Sequence, residues 1–193
     1  MITLADMPIA FVILCWVIFV IVWIAAAPRV KKVAAAQDVN WNLRFALIAI
    51  ALILLMNGVP AISALAGVRL LPKRPEIGLL ADALALIGLL VMLWARAIIG
   101  KNWSGEVVLR KDHELAMTGP YAYVRHPIYS GLLLLMLATA MAFGVVSGFV
   151  VFVTFFAVLL YKSRIEERFM AGHFPETYTA YMKKTKALVP FVF

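Results

Sequence analysis

Four long apolar runs constrain the fold of this chain more than any other feature of its sequence. They cover residues 7–27, 43–66, 77–94 and 128–161. A helix that crosses the hydrocarbon core of a bilayer needs about 20 apolar residues. Composition agrees, because 65% of the residues are hydrophobic and 15% are charged, whereas soluble domains are about 45–50% apolar and about 25% charged. The sequence therefore predicts an integral membrane protein.

The last apolar run is long enough to turn back on itself. It spans 34 positions, and Ser147 and Gly148 lie near its middle, where Gly and Ser interrupt helices. We expect an all-α membrane protein with about five transmembrane helices, of which the last two form a helical hairpin. Residues 1–78 then hold two N-terminal spans, and residues 79–193 hold the third span, a polar loop, the hairpin and a C-terminal helix.

The basic residues indicate how the chain is oriented. Fifteen of the 18 Lys and Arg residues lie in the segments 28–44 and 96–127 and in the tail after residue 161. With five spans these three segments share one side, and the positive-inside rule makes that side cytoplasmic. The net charge of +8 thus comes from basic loops at the membrane surface. We expect the lipid bilayer as a partner and no nucleic-acid partner.

Two isolated features inside the apolar runs have simple interpretations. Asn57, Gly58 and Pro60 interrupt the second run. They indicate either a broken helix that lines a site or a proline kink, and we favour the kink because membrane helices tolerate it. Cys15 is the single cysteine, so it forms no internal disulfide and no cysteine zinc cluster, and we expect a packing residue and no bound metal.

Polar side chains concentrate in two clusters that border the hairpin. The loop 100–125 is rich in charged and tyrosine residues, and a second cluster covers residues 162–170. Both clusters belong to the side predicted to be cytoplasmic. We therefore expect them to face each other across the base of the hairpin and to form a site.

Residue types suggest roles within this site. Arg125 and Arg164 suit bidentate pairing with a carboxylate, and His126 suits proton transfer near neutral pH. Glu166 or Glu167 suits pairing with a cationic ligand or accepting a proton. The tyrosines of the loop are interpreted equally well as an aromatic belt at the membrane interface or as groups that stack on a ligand.

The two clusters together resemble a known family. The matching residues are Thr118-Gly119-Pro120-Tyr121, then Arg125-His126-Pro127-Ile128-Tyr129-Ser130-Gly131, then Glu166-Glu167-Arg168-Phe169-Met170, with Phe174, Tyr178, Tyr181 and Pro190. In order and spacing this pattern resembles the isoprenylcysteine carboxyl methyltransferase family and its phospholipid methyltransferase relatives. The resemblance covers residues 100–193.

The resemblance implies a membrane methyltransferase that uses S-adenosyl-L-methionine on the cytoplasmic face and takes a lipophilic or lipidated acceptor from the bilayer. By analogy, the catalytic residues are Arg164, Glu166 and Glu167, nearest the acceptor, with Arg125. The implied cofactor contacts are His113, Glu114, Leu115, Tyr123, His126, Pro127, Ile128, Tyr129 and Gly131.

Four functions stay open at this point. The first is methylation of the carboxylate of an isoprenylcysteine-like acceptor, and the second is N-methylation of a phospholipid amine. The third is an NADPH-dependent reductase of a sterol-like double bond, which would need more spans and a larger basic pocket for the 2'-phosphate. The fourth is a non-catalytic transport or assembly subunit, which would carry charges deep inside several spans. The sequence leaves the oligomeric state open.

Overall fold

Helices form almost all of the described structure, because backbone groups in hydrocarbon must find their hydrogen-bond partners within the chain. The computed structural model describes residues 7–26, 33–36, 40–100, 108–110 and 115–190. Within these residues the helices are α1 Met7–Ala26, α2 Trp41–Gly58, α3 Pro60–Ala66, α4 Pro75–Ile99, α5 Pro127–Phe143, α6 Val146–His173 and α7 Pro175–Lys184, with a 3-10 helix at Gly119–Ala122 and strands β1 Val33–Ala36 and β2 Val108–Arg110. The predicted all-α membrane architecture is confirmed.

The helices differ in how far they can reach across a membrane. Among the described residues, three helices are long and apolar enough to cross, namely Pro8–Ala26, Pro75–Ile99 and Val146–His173. Two shorter apolar helices are Leu43–Ile53 and Pro127–Phe143. The 17 residues of α5 extend about 25 Å at 1.5 Å per residue, so this arm of the hairpin is shorter than the hydrocarbon core.

The main apolar core lies where α1, α4 and α5 meet. It contains Val12 and Cys15 of α1, Ala85, Leu89 and Met92 of α4, and Leu135 and Ala138 of α5. Cys15 is 2% exposed and is a packing residue, as the sequence predicts. The division of the chain after residue 78 stays a prediction, although this core joins α1 to the helices that follow that boundary.

Two glycines let α4 and α5 approach until their backbones touch. A Cβ atom on Gly88 would lie 2.6 Å from the carbonyl oxygen of Gly131, and a Cβ atom on Gly131 would lie 2.5 Å from that of Gly88. Small residues at helix contacts permit this approach in membrane proteins. The site at the start of α5 is therefore held in a fixed position against α4.

The hairpin turns three residues earlier than the sequence analysis expected. Gly144 ends α5 in the left-handed conformation, with φ of 65°, and its N–H donates to the carbonyl of Ala140. Ser147 and Gly148 instead belong to the first turn of α6, where Gly148 gives Ala140 room to pack closely. Expecting the turn at Ser147–Gly148 was wrong, because a glycine can serve helix packing as well as a turn.

Backbone pairing places the connecting segments at two opposite ends of the bundle. At one end the α3–α4 connection joins the hairpin turn, since Leu70 N–H donates to Gly144 O at 2.8 Å and Val146 N–H to Val68 O at 2.9 Å. At the other end β1 pairs antiparallel with β2, and Val124 pairs with Lys186. The three segments rich in Lys and Arg therefore lie together, as the charge count predicted.

The interruption of the second apolar run is a true helix break. Val59 adopts an extended conformation between α2 and α3, and Pro60 starts the new helix. The side chain of Asn57 donates to the carbonyl of Ile53 at 2.8 Å, and the residues around the break are exposed. The chain therefore breaks here and does not merely bend as the favoured kink interpretation expected, and the Asn57 amide is satisfied within its own helix.

Replacing Gly131 with Ala tests the contact between α4 and α5. The added methyl group would meet backbone on Gly88, so the helices must separate, and overpacking of this kind costs about 1–3 kcal/mol. We expect a lower midpoint of thermal unfolding in detergent. Gly172→Ala is the control, because a Cβ atom on Gly172 meets nothing within 4 Å. Equal midpoints for the two variants would contradict the close contact.

Candidate active site

The segment before α5 is held by the C-terminal segment of the chain. Arg125 N–H donates to the carbonyl of Lys186 at 2.8 Å, and His126 N–H donates to that of Ala187 at 3.0 Å. Pro127 then begins α5, where its fixed φ suits the first helical position. As a result the side chains of Arg125 and His126 face the glutamates of α6.

An ion pair between Arg125 and Glu167 forms the centre of the site. Arg125 Nε lies 2.6 Å from Glu167 Oε1, and the two side chains are 9% and 10% exposed. The same guanidinium donates to the carbonyl of Met182 at 3.3 Å and to that of Thr185. Arg125 therefore joins α6 to the end of α7 and to the residue that follows it.

His126 lies between the two glutamates. Its Nε2 is 3.2 Å from Glu167 Oε1 and its Nδ1 is 3.4 Å from Glu166 Oε2, and its side chain is 8% exposed. Burial by itself lowers the pKa of His126, but the hydrogen bonds and negative charges of Glu166 and Glu167 outweigh it, so its pKa lies above the ordinary value. The imidazolium form is thus the favoured partner of the two carboxylates.

Glu166 has two further partners. Tyr129 OH donates to Glu166 Oε1 at 2.6 Å, and the Tyr129 ring stacks on His126 with centroids 5.4 Å apart. Lys162 Nζ lies 3.7 Å from Glu166 Oε1. The Glu166 side chain is nevertheless 18% exposed, so this carboxylate borders solvent more than Glu167 does.

Lys162 is a site residue to which the sequence analysis assigned no role. It is 3% exposed, and its Nζ lies 5.5 Å from the ring centroid of Phe45 and 5.4 Å from that of Tyr129. A buried lysine is stable only when its charge is paired. The sequence does contain a signal for this position, because Lys162 lies four residues before Glu166 at the end of an apolar run.

Residues after α6 pack against the residues around the start of α5. They had no individual roles in the sequence-based prediction. Tyr181 OH donates to the carbonyl of Tyr121 at 2.6 Å, and Ser130 Oγ donates to the carbonyl of Leu188. Burial raises the pKa of Tyr181 to about 12, so its hydroxyl stays protonated and can act as a donor. These contacts fix the C-terminal segment against the start of α5.

The structure brings together five of the predicted site residues. Arg125, His126, Tyr129, Glu166 and Glu167 form one connected cluster. We call this set the charged cluster. It combines two carboxylates with a guanidinium, an imidazole and a phenol, to which Lys162 adds an ammonium group.

The remaining predicted residues are not members of the charged cluster. Arg164 is exposed on α6, Tyr123 is 58% exposed, and Gly131 faces α4 at the helix contact. Pro127 is buried, while Leu115 and Ile128 are half-buried. His113 and Glu114 lie outside the described residues. Their contacts with a cofactor stay predictions.

A cavity of about 360 Å³ borders the charged cluster on one side. It lies between α6, which contributes Arg164 and Glu167, and the segment from Met182 to Ala187. Arg125 also lines it. Arg125 and Glu167 are thus the members of the charged cluster that line this cavity.

Comparison with protein families identifies the part of the chain that contains this site. Residues 80–171 match the model of the isoprenylcysteine carboxyl methyltransferase (ICMT) family. This segment resembles the ICMT family. It includes most of α4, the start of α5 and both glutamates, so the resemblance seen in the sequence is confirmed over the residues that build the charged cluster.

Curated relatives of the ICMT-like segment come from a yeast and two bacteria. The chain is 38% identical over 99 residues to the protein-S-isoprenylcysteine O-methyltransferase of Schizosaccharomyces pombe, a match that covers 48% of this chain and 41% of that protein. It is 34% identical over 97 residues to the cobalt-zinc-cadmium resistance protein CzcN of Cupriavidus metallidurans, covering 49% and 44%. The uncharacterized protein YpbQ of Bacillus subtilis is 29% identical over 100 residues, covering 51% and 60%.

A solved structure extends the likeness beyond the ICMT-like segment. It is that of the eukaryotic intramembrane Ras methyltransferase ICMT, with a TM-score of 0.58 and 19% identity, over 80% of this chain and 55% of that one. At this identity the match shows a shared fold. The chain thus spans about half the length of the relatives it matches.

Replacing Arg125 with Met tests the ion pair at the centre of the charged cluster. The substitution leaves Glu167 with a buried negative charge that has lost its main partner, and breaking a buried pair costs about 3–5 kcal/mol. We expect that loss in the free energy of unfolding, measured in mixed detergent micelles. Arg168→Met is the matched control, since Arg168 is exposed on α6. If both variants lose the same free energy, the pair is not stabilising.

Because folding raises the pKa of His126, the folded state should become less stable as the pH rises. A group whose pKa is raised by folding stabilises the folded state fully below its unfolded pKa, about 6.5 for histidine, and the contribution declines as pH rises through the folded pKa. We expect the thermal unfolding midpoint to fall as pH is raised above about 6.5. In His126→Gln this fall should be smaller, and an unchanged slope would contradict the role of the imidazolium.

Proposed function

We propose that this chain is an S-adenosyl-L-methionine-dependent membrane methyltransferase that acts on the carboxylate of a lipid-tailed acceptor. The observation that carries the proposal is the coincidence of the ICMT family match at residues 80–171 with a buried charged cluster at the end of a membrane hairpin. The shared fold with an intramembrane methyltransferase supports it.

The side chains on the His126 side of the cluster suit a cofactor of this kind. S-adenosyl-L-methionine carries a cationic sulfonium and an ammonium group. The partly exposed carboxylate of Glu166 can pair a cation, and the hydroxyl of Tyr129 holds that carboxylate in place. With them we assign to cofactor binding the predicted residues Leu115, Tyr123, His126, Pro127, Ile128 and Gly131, together with His113 and Glu114. When bound, the cofactor supplies an electrophilic methyl group.

Positioning and exclusion of water are the tasks left to the protein. Methyl transfer to a carboxylate needs no proton removal near neutral pH, because a carboxyl group is already ionised there. Holding two reactants in line can lower the barrier by about 7–11 kcal/mol. The network around Glu166 and Glu167 suits this task, since each carboxylate is fixed by at least two partners.

The same network favours a carboxylate acceptor over an amine. An amine must lose a proton on methylation, and a glutamate is the residue predicted to accept that proton. Glu167 is paired with Arg125 and His126, and Glu166 lies beside His126 and Lys162. Glu167 already accepts a hydrogen bond from Arg125, and Glu166 accepts one from Tyr129, so the proton of an amine acceptor would have to displace a partner. Arg164, which is exposed one turn before Glu167 on α6, suits bidentate pairing with the acceptor carboxylate.

We place the site on the cytoplasmic face. The end of the bundle that holds the charged cluster also holds the three segments rich in Lys and Arg, and such segments stay in the cytoplasm. From this position the cofactor would come from water and the lipid-tailed acceptor from the bilayer. Phe45 is half-buried and its ring lies 5.5 Å from Lys162 Nζ, so it suits an apolar wall for the acceptor tail.

Binding of S-adenosylhomocysteine in detergent tests the cofactor. We expect the folded protein to bind it, and Glu166→Gln to weaken binding about 10- to 100-fold, because a hydrogen bond to a charged group contributes about 1.5–3 kcal/mol. Glu176→Gln, an exposed residue of α7, is the matched control. Thermal unfolding of each variant shows whether it is folded. Absence of binding by the folded protein rejects the proposal, and binding of NADPH instead would favour the reductase.

The product of transfer distinguishes the two acceptors. Labelled S-adenosyl-L-methionine is incubated with the protein and either an S-farnesylcysteine with a free carboxylate or phosphatidylethanolamine. A label released by mild base is a methyl ester, and a base-stable label is a methylamine. We expect the ester, and a base-stable product made only with the phospholipid would assign the chain to N-methylation.

A further inference from the structure

The cavity between α6 and the segment after it shares Arg125, Arg164 and Glu167 with the proposed active site and extends beyond them. It measures about 360 Å³ and is lined by Leu160, Ser163, Arg164 and Glu167 of α6, by Arg125, and by the residues from Met182 to Ala187. Its volume lies within the range of small-ligand pockets, about 300–1,000 Å³. Such a volume beside a membrane helix suits part of a lipid.

The charge of the lining is strongly positive. Five cationic side chains contribute to it, namely Arg125, Arg164, Lys183, Lys184 and Lys186, against the single carboxylate of Glu167. That carboxylate is already paired with Arg125 at 2.6 Å. The remaining positive charge favours an anionic occupant.

The cavity also crosses the boundary between apolar and polar parts of the molecule. Leu160 belongs to the apolar stretch of α6 that ends at residue 161, and it lines the cavity together with Ala187. Lys183 and Lys186 also line it, and both are exposed. A phospholipid has the same arrangement, with an anionic phosphate next to an apolar glycerol and acyl region.

We infer that this cavity binds the phosphate of an anionic phospholipid at the membrane surface. Clusters of four to eight Lys and Arg residues next to a membrane helix, and basic pockets between such helices, recognise anionic head groups. The tail after residue 161 carries six such residues, and four of them line this cavity. The inference does not depend on methyl transfer.

Binding of short-chain phosphatidylglycerol to the intact protein in neutral detergent tests this inference. The variant is Lys183→Gln with Lys186→Gln, and the matched control is Lys73→Gln with Arg74→Gln, two exposed residues at the opposite end of the bundle. We expect phosphatidylglycerol affinity to fall about 30-fold in the cavity variant, since each basic residue near a membrane surface contributes about fivefold. The control should bind as the unmodified protein does.

Three comparison ligands identify the source of the anion. Phosphatidylcholine should bind at least tenfold more weakly than phosphatidylglycerol, and inorganic phosphate should not displace it at equal concentration. Equal binding of phosphatidylcholine, full displacement by phosphate, or equal affinities in the two variants would each overturn the inference. Displacement by an S-farnesylcysteine carboxylate would assign the cavity to the methyl acceptor instead. Because no cofactor is added, failure here leaves the proposed methyltransferase activity unaffected.

Discussion

The arrangement of the hairpin depends on the pairing of buried charges at its base. Helix α6 carries Lys162, Glu166 and Glu167 directly after an apolar stretch, and an unpaired charge in such a place costs several kcal/mol. The helix can therefore pack only where cations meet its carboxylates. Arg125 and His126 provide them from the start of α5. This requirement fixes both the rotation of α6 and its position along the axis of its neighbour.

A second constraint, an uncharged backbone contact, acts on the opposite face of α5. The backbone contact between Gly88 and Gly131 holds α5 against α4, one turn after the residues that pair with the glutamates. The charged cluster is thus set between a rigid apolar contact and an ionic one. The C-terminal segment adds a third support, since Arg125 also donates to the carbonyls of Met182 and Thr185.

The sequence predicts features that follow from length and charge, and it misses those that depend on packing. The apolar runs and the Lys and Arg pattern predict the helices and the meeting of Arg125 and His126 with the glutamates. The turn at Gly144 could not be chosen over Ser147–Gly148, because both contain residues that end helices. The pairing of β1 with β2 joins loops distant in sequence, and short strands of this kind carry no helical period. The burial of Lys162 and the exposure of Arg164 depend on the rotation of α6, which the sequence does not specify.

The adjacency of Glu166 and Glu167 gives the site two sides. Consecutive residues of a helix point about 100° apart, so the two carboxylates face different surroundings. Glu166 lies beside Tyr129 and Lys162 and is 18% exposed, whereas Glu167 lines the basic cavity. His126 contacts both of them. Both carboxylates act on the same imidazole, since each of them raises the pKa of His126 against the effect of burial. The two sides of the cluster are therefore coupled through one ring.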